Sequence, residues 1–207
     1  MIKVVGSVST STASEVVDQI RKQVDRPATI RELMRILRIP REERHRFRRR
    51  IIQLVEKGEL IRIRGNRYGL ADRMQLMVGW LQVNPRGFGF VTPENTGKGE
   101  DVFVAGVNLH QAMHGDRVVV RLERSASRRE GRIVRVLEHA NSDLVGRYDV
   151  DETGVGFVTP FDQRVIMDIQ IPAGESGGAS SGQMVVVEID RWPTPTRNPV
   201  GRIVEVV

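Results

Sequence analysis

The sequence contains no cysteine among its 207 residues. This absence excludes disulfide bonds, thiol chemistry and cysteine-ligated zinc or iron–sulfur sites, and it suits a reducing compartment. The four histidines are too scattered along the chain to predict a metal site. No apolar run approaches the roughly 18 residues that a membrane-spanning helix needs. The first residues also lack the apolar stretch of a secretory signal. We therefore expect a cytoplasmic protein that does not bind a membrane.

Lysine is scarce as well, since 4 of the 32 basic residues are lysine and the rest are arginine. Residues 1–72 carry a net charge of +8 and residues 73–138 one of +3, whereas residues 139–207 carry −5. This division indicates a polyanionic partner for the first two thirds of the chain. Arginine suits such a partner because its guanidinium contacts phosphate bidentately and stacks on bases. A solvated arginine-rich surface, or a bias in genomic base composition, would give the same counts.

The N-terminal third combines helical spacing with a short hairpin. Residues 1–13 are mostly small and polar, which predicts a disordered tail. Apolar residues at spacings of three and four then predict three helices, the second starting with a Thr29–Glu32 capping box. Two short strands, 60–63 and 67–70, follow them. Three helices and a hairpin in this order predict a winged helix-turn-helix over residues 14–72.

Arginine dominates the exposed positions of the third predicted helix, which runs from about Arg41 to Lys57, and the tip of the hairpin. This density suits contact with a phosphate backbone, although the pattern does not distinguish DNA from RNA. A solvated helix face, partly neutralised by Glu42 and Glu43, remains the alternative. The residues predicted to contact phosphate in this unit are Arg44, Arg48, Arg49, Arg62, Arg64 and Arg67.

The rest of the chain contains an internal repeat. Residues 87–93, Gly-Phe-Gly-Phe-Val-Thr-Pro, recur at 154–160 as Gly-Val-Gly-Phe-Val-Thr-Pro; two more blocks recur in the same register, and a fourth recurs after a small insertion. The segments between these blocks are rich in β-branched residues, alternate between apolar and polar side chains, and are interrupted by glycine and proline. This pattern predicts that each repeat forms a five-stranded barrel of the OB type. The expected fold class is α+β multidomain, with barrels at 75–138 and 143–207.

Alternation places three aromatic side chains on one exposed face of the first barrel. Phe88 and Phe90 share a face, and Phe103 points outward between the inward Val102 and Val104. Glycines alternate with the first two rings, which we take to favour exposure over burial in the core. Aromatic rings on a basic sheet form a stacking platform for unpaired bases. We predict that Phe88, Phe90 and Phe103 stack on bases and that Arg86 and Lys98 contact phosphate.

The second unit keeps the inward apolar positions but loses most of the outward rings. Val155 stands where the first unit has Phe88, Gln170 stands where it has Phe103, and Phe157 is retained. We therefore expect this barrel to position the strand or to contact other protein more than it holds bases. Three acidic residues before Gly154 are expected to be solvated turn residues and not a metal site. They are Asp149, Asp151 and Glu152.

The Gly-Phe-Gly-Phe-Val and Asp-Val-Phe-Val motifs resemble the paired RNA-binding motifs of cold-shock domains. Together with residues 112–120, Ala-Met-His-Gly-Asp-Arg-Val-Val-Val, they resemble the ribonuclease R branch of the ribonuclease II family. That family has an N-terminal winged helix, two cold-shock domains, a catalytic domain and an S1 domain, and the likeness covers residues 14–207. Two positions depart from the pattern, since Trp80 is off register for the usual first-strand tryptophan and Ala105 replaces a common histidine.

The resemblance gives the base-stacking roles to Phe88, Phe90 and Phe103. It implies the RNA-entry half of a 3′→5′ exoribonuclease, either a fragment with its catalytic domain in cis beyond Val207 or a natural short relative. In both cases we expect these residues alone to bind RNA without cleaving it. Magnesium is expected in that domain alone, so we expect no cofactor in these residues. The expected partners are single-stranded or structured RNA, and duplex nucleic acid through the winged helix. Two alternatives are a stand-alone RNA chaperone or regulator, and a DNA-binding repressor with the barrels as a sensor.

Overall fold

The computed structural model describes residues 12–94, 100–123 and 128–207, and the chain divides into two compact units, the second starting at Val78. The first unit combines three helices with a small sheet. Its elements are α1 (Ala13–Gln23), β1 (Ala28–Thr29), α2 (Ile30–Ile36), α3 (Arg44–Glu56), β2 (Leu60–Ile63) and β3 (Arg67–Leu70). No helix in these described ranges has the length and apolar character needed to cross a membrane.

Capping boxes start the first two helices. The Glu15 N–H donates to the Thr12 hydroxyl and the Thr12 N–H to the Glu15 carboxylate, at 3.3 and 3.2 Å. Ala13, which we assigned to the tail, is therefore helical, because the cap satisfies the free amides of the first turn. The rest of that tail, residues 1–11, lies outside the described residues. The predicted box between Thr29 and Glu32 is confirmed.

The third helix begins later than predicted, because residues 41–43 form a short 3₁₀ turn before it. Its Phe47, Ile51 and Leu54 are fully buried in the core of this unit. Both hairpin strands have their predicted bounds, but β3 lies at the centre of a β1-β3-β2 sheet. The two-residue β1 was missed because Pro27 and the helix cap leave it too short to show any alternation.

The second unit holds two closed barrels of five strands each, which confirms the prediction of two OB folds. The first barrel consists of β4 (Leu76–Val83), β5 (Gly89–Pro93), β6 (Val102–Val104), β7 (Arg117–Glu123) and β8 (Glu130–Glu138), in the order β4-β5-β6-β8-β7. The second consists of β9 (Asp143–Val150), β10 (Gly156–Pro160), β11 (Ile169–Ile171), β12 (Met184–Arg191) and β13 (Val200–Val206), in the equivalent order. In each, the third strand pairs in parallel with the fifth.

Equivalent glycines show that the sequence repeat is also a structural repeat. A Cβ on Gly79 would lie 2.2 Å from the Thr92 carbonyl oxygen, and one on Gly146 would lie 2.4 Å from that of Thr159. Both barrels therefore need glycine where the first strand passes closest to the second. Their cores are filled by equivalent apolar side chains, among them Val91 and Val158, Val102 and Ile169, and Val104 and Ile171.

The two barrels contact each other through a small apolar cluster within the second unit. Met113 of the first barrel packs with Val165 and Ile189 of the second, and Trp192 packs against this cluster. The Trp192 ring also stacks on His139, with centroids 3.7 Å apart and planes 9° from parallel. These contacts give the barrels a shared interface of apolar and aromatic side chains.

Candidate nucleic-acid interface

Phe88, Phe90 and Phe103 form one ring cluster on the outer face of the first barrel. Phe90 on β5 is the cross-strand partner of Phe103 on β6, and Phe88 lies just before β5. The three ring centroids are 5.7–5.8 Å apart, with tilted to edge-on planes. Phe90 is 40% exposed and the other two are half-buried, while Val102 and Val104 lie fully inside. The outward placement predicted from alternation is confirmed.

The glycines around these rings have a different cause from the one we assumed. A Cβ on Gly89 would lie 2.8 Å from Leu81 Cδ1 and 3.1 Å from Leu109 Cδ2, both on the inner face. Glycine at this position therefore reflects core packing, and the outward rings follow from alternation alone. Gly87 instead has a φ of 87° and closes the turn that begins at Asn84 and leads into Phe88.

Basic groups lie at two sides of the ring cluster. The Arg128 guanidinium carbon lies 3.5 Å from the centroid of the Phe103 ring, a cation–π geometry. Sequence reasoning missed this arginine, because Phe103 lies far away along the chain and no local pattern connects the two residues. Arg86 is exposed in the turn before Phe88, where its N–H donates to the Asn84 side chain at 2.9 Å. Lys98 lies outside the described residues.

Trp80 adds a fourth aromatic side chain to the same outer face. In the β4–β5 register Gln82 pairs with Phe90 and Trp80 pairs with Thr92. A shift of two residues keeps a side chain on the same face of a strand, so Trp80 points outward and is 42% exposed. Trp80 is off the usual cold-shock register, so it lies at a different position along this face but still points outward. Alternation along β4 was the signal that could have found it.

Two of the predicted helix arginines line a basic groove in the first unit. Arg44 and Arg48 on α3 face α2 across a cavity of about 650 Å³. Arg31 and Arg35 of α2 also line it; their i, i+4 spacing would have revealed them as one helix face. Arg49 is exposed, but it does not line this groove.

The hairpin arginines are exposed but differ in their contacts. Arg67 donates to the Pro27 carbonyl oxygen at 3.0 Å and pairs with the Glu32 carboxylate at 3.3 Å, so it ties β3 to the start of α2. Arg62 donates from Nε to the Asn66 side chain at 3.1 Å across the hairpin turn. Arg64 is exposed near the tip. The structure therefore gives Arg62 and Arg67 internal partners that the sequence did not reveal.

The second barrel presents a groove where the first presents rings. Val155 and Gln170 are exposed and Phe157 is half-buried, as the repeat predicted. These residues line a cavity of about 470 Å³ together with Arg197 and Asn198. The latter two come from the β12–β13 loop, which is longer than the segment between β7 and β8 of the first barrel. The groove thus combines a single ring with polar and charged side chains.

Two of the three acidic residues near Gly154 have local partners, and Glu152 is exposed. Asp151 accepts hydrogen bonds from the Thr153 hydroxyl and from the N–H groups of Thr153 and Val155, and the Thr153 hydroxyl lowers the pKa of this carboxyl most. Asp149 was wrongly predicted as a solvated turn residue: it lies on β9, is half-buried and pairs with Arg147 at 2.7 Å. Within the described ranges no cluster of histidine and acidic residues is arranged to hold a metal ion.

Comparison with known proteins matches both barrels to described domain families. Residues 79–136 match the model for the ribonuclease B OB domain, and residues 157–207 match that for a cold shock domain. The chain is 38% identical to ribonuclease R of Escherichia coli over 187 residues, which is 88% of this chain and 22% of that protein. It is 34% identical to ribonuclease R of Acidithiobacillus ferrooxidans over 186 residues, 88% of this chain and 42% of that protein. The chain thus spans less than half of either relative.

Two solved structures show a similar fold at low identity. Ribonuclease R of Mycoplasma genitalium, solved in complex with ribose-methylated single-stranded RNA, has a TM-score of 0.56 and 16% identity over 63% of this chain and 21% of its own. A yeast pseudonuclease has a TM-score of 0.54 and 18% identity over 81% of this chain and 24% of its own. At these identities the likeness concerns the fold alone.

Proposed function

We propose that this chain is an RNA-binding module, similar to the substrate-recognition part of a ribonuclease R-like 3′→5′ exoribonuclease. The observation that carries the proposal is the outward-facing ring cluster of Phe88, Phe90 and Phe103 on the first barrel. The resemblance to ribonuclease R along 88% of the chain supports it. So does the Mycoplasma genitalium relative, which was solved with single-stranded RNA.

The ring cluster would hold unpaired bases by stacking. Each base stacked on an aromatic side chain contributes about 1–3 kcal/mol, and the contact tolerates any base because every base has a π-face. Exposed apolar rings in a group are unfavourable in water unless a ligand covers them. Arg128 over Phe103 would continue the stack or pair with a phosphate, since guanidinium does both. Single-stranded RNA supplies the bases and the phosphates together.

The first unit would contact the phosphates of a structured or duplex region. Its three helices and its β1-β3-β2 sheet support its assignment as a winged helix. The arginine groove between α2 and α3 and the net charge of +8 over residues 1–72 support phosphate contact. Arg64 and Arg49 would add to it, whereas Arg62 and Arg67 would have to leave their internal partners.

The second barrel would direct the strand or contact other protein. Its residues 139–207 carry a net charge of −5, and its outer face has one half-buried ring in place of three. Cleavage would belong to a catalytic domain in cis with its own magnesium ions. The proposed location of the protein is the cytoplasm.

The stacking role is tested by a Phe88→Ala/Phe103→Ala double variant. We expect single-stranded RNA binding to weaken by about 2–5 kcal/mol, because about one base stack is lost at each ring. Affinity is measured by fluorescence anisotropy with a labelled oligonucleotide. Phe161→Ala is the matched control, because Phe161 lies on the second barrel and is 76% exposed. Equal affinity of the double variant and the unmodified chain would overturn the proposal.

Two further assays separate the alternatives. A DNA-binding repressor would prefer duplex DNA in competition with single-stranded RNA, whereas the ring cluster requires the opposite preference. Incubation with RNA and magnesium tests whether these residues need a catalytic domain in order to cleave RNA. Processive degradation by the purified chain would show that they do not.

A further inference from the structure

Two arginines face each other directly on the part of the first barrel that carries no rings. Arg121 on β7 and Arg132 on β8 are cross-strand partners, and both are exposed. Like charges in directly opposed positions destabilise a sheet. This arrangement is therefore unfavourable for the isolated barrel, and an anion bound between the two guanidinium groups would relieve it.

The two arginines line a cavity of about 330 Å³. His110 lines it as well, from the segment after β6, where its backbone has a left-handed φ of 51°. Arg132 forms an ion pair with Glu123 at 3.6 Å, and both side chains are exposed. An exposed pair of this kind contributes little, so a phosphate would readily displace Glu123. Among the described residues Arg121 forms no ion pair.

The strand register connects this cavity to the ring cluster. Phe103 on β6 pairs with Glu130 on β8. Because the two strands are parallel, Ala105 lies opposite Arg132, two residues further along each. On the other side of β6, β5 pairs Gly89 with Val104. Extending this pairing by one residue places Phe88 beside Ala105. Neighbouring strands lie about 4.8 Å apart, which puts the Arg132 backbone roughly 10 Å from that of Phe88. A polynucleotide crossing the strands from β5 toward β7 would pass from the rings to the arginines.

We propose that Arg121 and Arg132 form a phosphate site on the first barrel, with His110 at its side. It holds the RNA backbone just beyond the bases that stack on the ring cluster. Guanidinium groups suit this role because they bind phosphate oxygens bidentately. The strand then crosses the barrel from β5 over β6 and β8 toward β7. This inference rests on the proposed RNA-binding function and adds the direction of the strand.

The test compares a short and a long oligouridylate binding to an Arg121→Gln/Arg132→Gln double variant. A dinucleotide can stack on the rings without reaching the arginines, whereas an oligonucleotide of about 12 residues reaches both. We expect unchanged affinity for the short one and roughly tenfold weaker binding of the long one. The slope of log affinity against log salt should fall by about 0.7 for each lost phosphate contact, and only for the long oligonucleotide.

An Arg147→Gln/Arg191→Gln variant removes the same charge from the second barrel and serves as the control. Equal changes in slope for both double variants would overturn the site, because the effect would then be one of net charge. An unchanged slope, or an equal loss with the short oligonucleotide, would overturn it too. The Arg121→Gln/Arg132→Gln variant should also keep its thermal midpoint, since it removes a repulsive pair. Failure of the ring proposal would be seen separately. In that case the Phe88→Ala/Phe103→Ala variant would bind both oligonucleotides with the same affinity as the unmodified chain.

Discussion

Asp116 is a buried carboxylate at the junction of the two barrels, with 1% of its surface exposed. It accepts the Met113 N–H at 2.8 Å and the Ala140 N–H at 3.1 Å, and it lies 3.1 Å from Nδ1 of His139. His139 in turn stacks on Trp192. One carboxylate thus fixes the end of the first barrel, the segment that follows it and a ring that touches the second barrel.

We expect Asp116→Asn to lower the free energy of unfolding by about 1–3 kcal/mol at neutral pH. An amide offers one acceptor oxygen, so its NH₂ group would face a buried N–H group that is left without a partner. Urea unfolding checks this, with Asp143→Asn as an exposed control. An unchanged unfolding midpoint with an unchanged slope would contradict the role we give Asp116.

The Asp116 side chain also makes the free energy of unfolding depend on pH. Burial raises the pKa of Asp116 above its ordinary value of 3.8, in spite of its hydrogen bonds. The native state therefore binds more protons than the unfolded chain between the two pKa values. The proton-linked part of its contribution to stability is complete below 3.8 and is lost as pH rises through the raised value, whereas its hydrogen bonds remain at neutral pH. A pH series of unfolding midpoints should show this component in the unmodified chain and not in Asp116→Asn.

At the scale of elements, the strands that carry the ring cluster were predictable because alternation is a local property. Phe90 and Phe103 needed only the period of two and the neighbouring valines to be placed outward. Arg67 and Arg128 were not predictable in the same way. Their partners, the Pro27 carbonyl and the Phe103 ring, lie far away along the chain and meet them only after the sheets form.

The turn after β6 positions the turn before β5, and this gives a prediction for Gly106. A Cβ at Gly106 would lie 2.3 Å from the carbonyl oxygen of Gly87, so Gly106→Ala must push that turn and Phe88 outward. We expect RNA affinity to fall by part of one base stack, up to about 1–3 kcal/mol. Anisotropy titrations measure it.

The repeat supplies the control for this change. Ala173 stands at the equivalent place in the second barrel, so a methyl group is tolerated where no ring has to be held. Ala173→Gly should leave RNA affinity as it is. If Gly106→Ala also bound RNA normally, the close approach would have no role in placing Phe88.

At the scale of the whole molecule, both barrels were predictable because the same sequence pattern occurs twice in the chain. Four registered blocks gave the strands, the inward residues and the loss of rings in the second barrel. The contact between the barrels was not predictable, since Met113, Val165 and Ile189 lie outside the repeated blocks and share no periodicity. The arginine groove was half predicted, because the third helix drew attention to Arg44 and Arg48 while their neighbours on α2 belong to another element.

The arginine groove and the ring cluster lie in separate units, so their contributions to binding should be additive. We expect Arg44→Gln/Arg48→Gln to weaken binding of a hairpin RNA with a single-stranded tail, and to reduce its salt slope by about 0.7–0.9 per lost phosphate contact. Binding of a short single strand should not change. Combined with Phe88→Ala/Phe103→Ala, the losses should add to within about 0.5 kcal/mol, because sites that share no partners act independently. Arg46→Gln/Arg50→Gln, on the same helix but outside the groove, is the matched control. An equal loss of slope in that control would assign the effect to net charge and not to the groove.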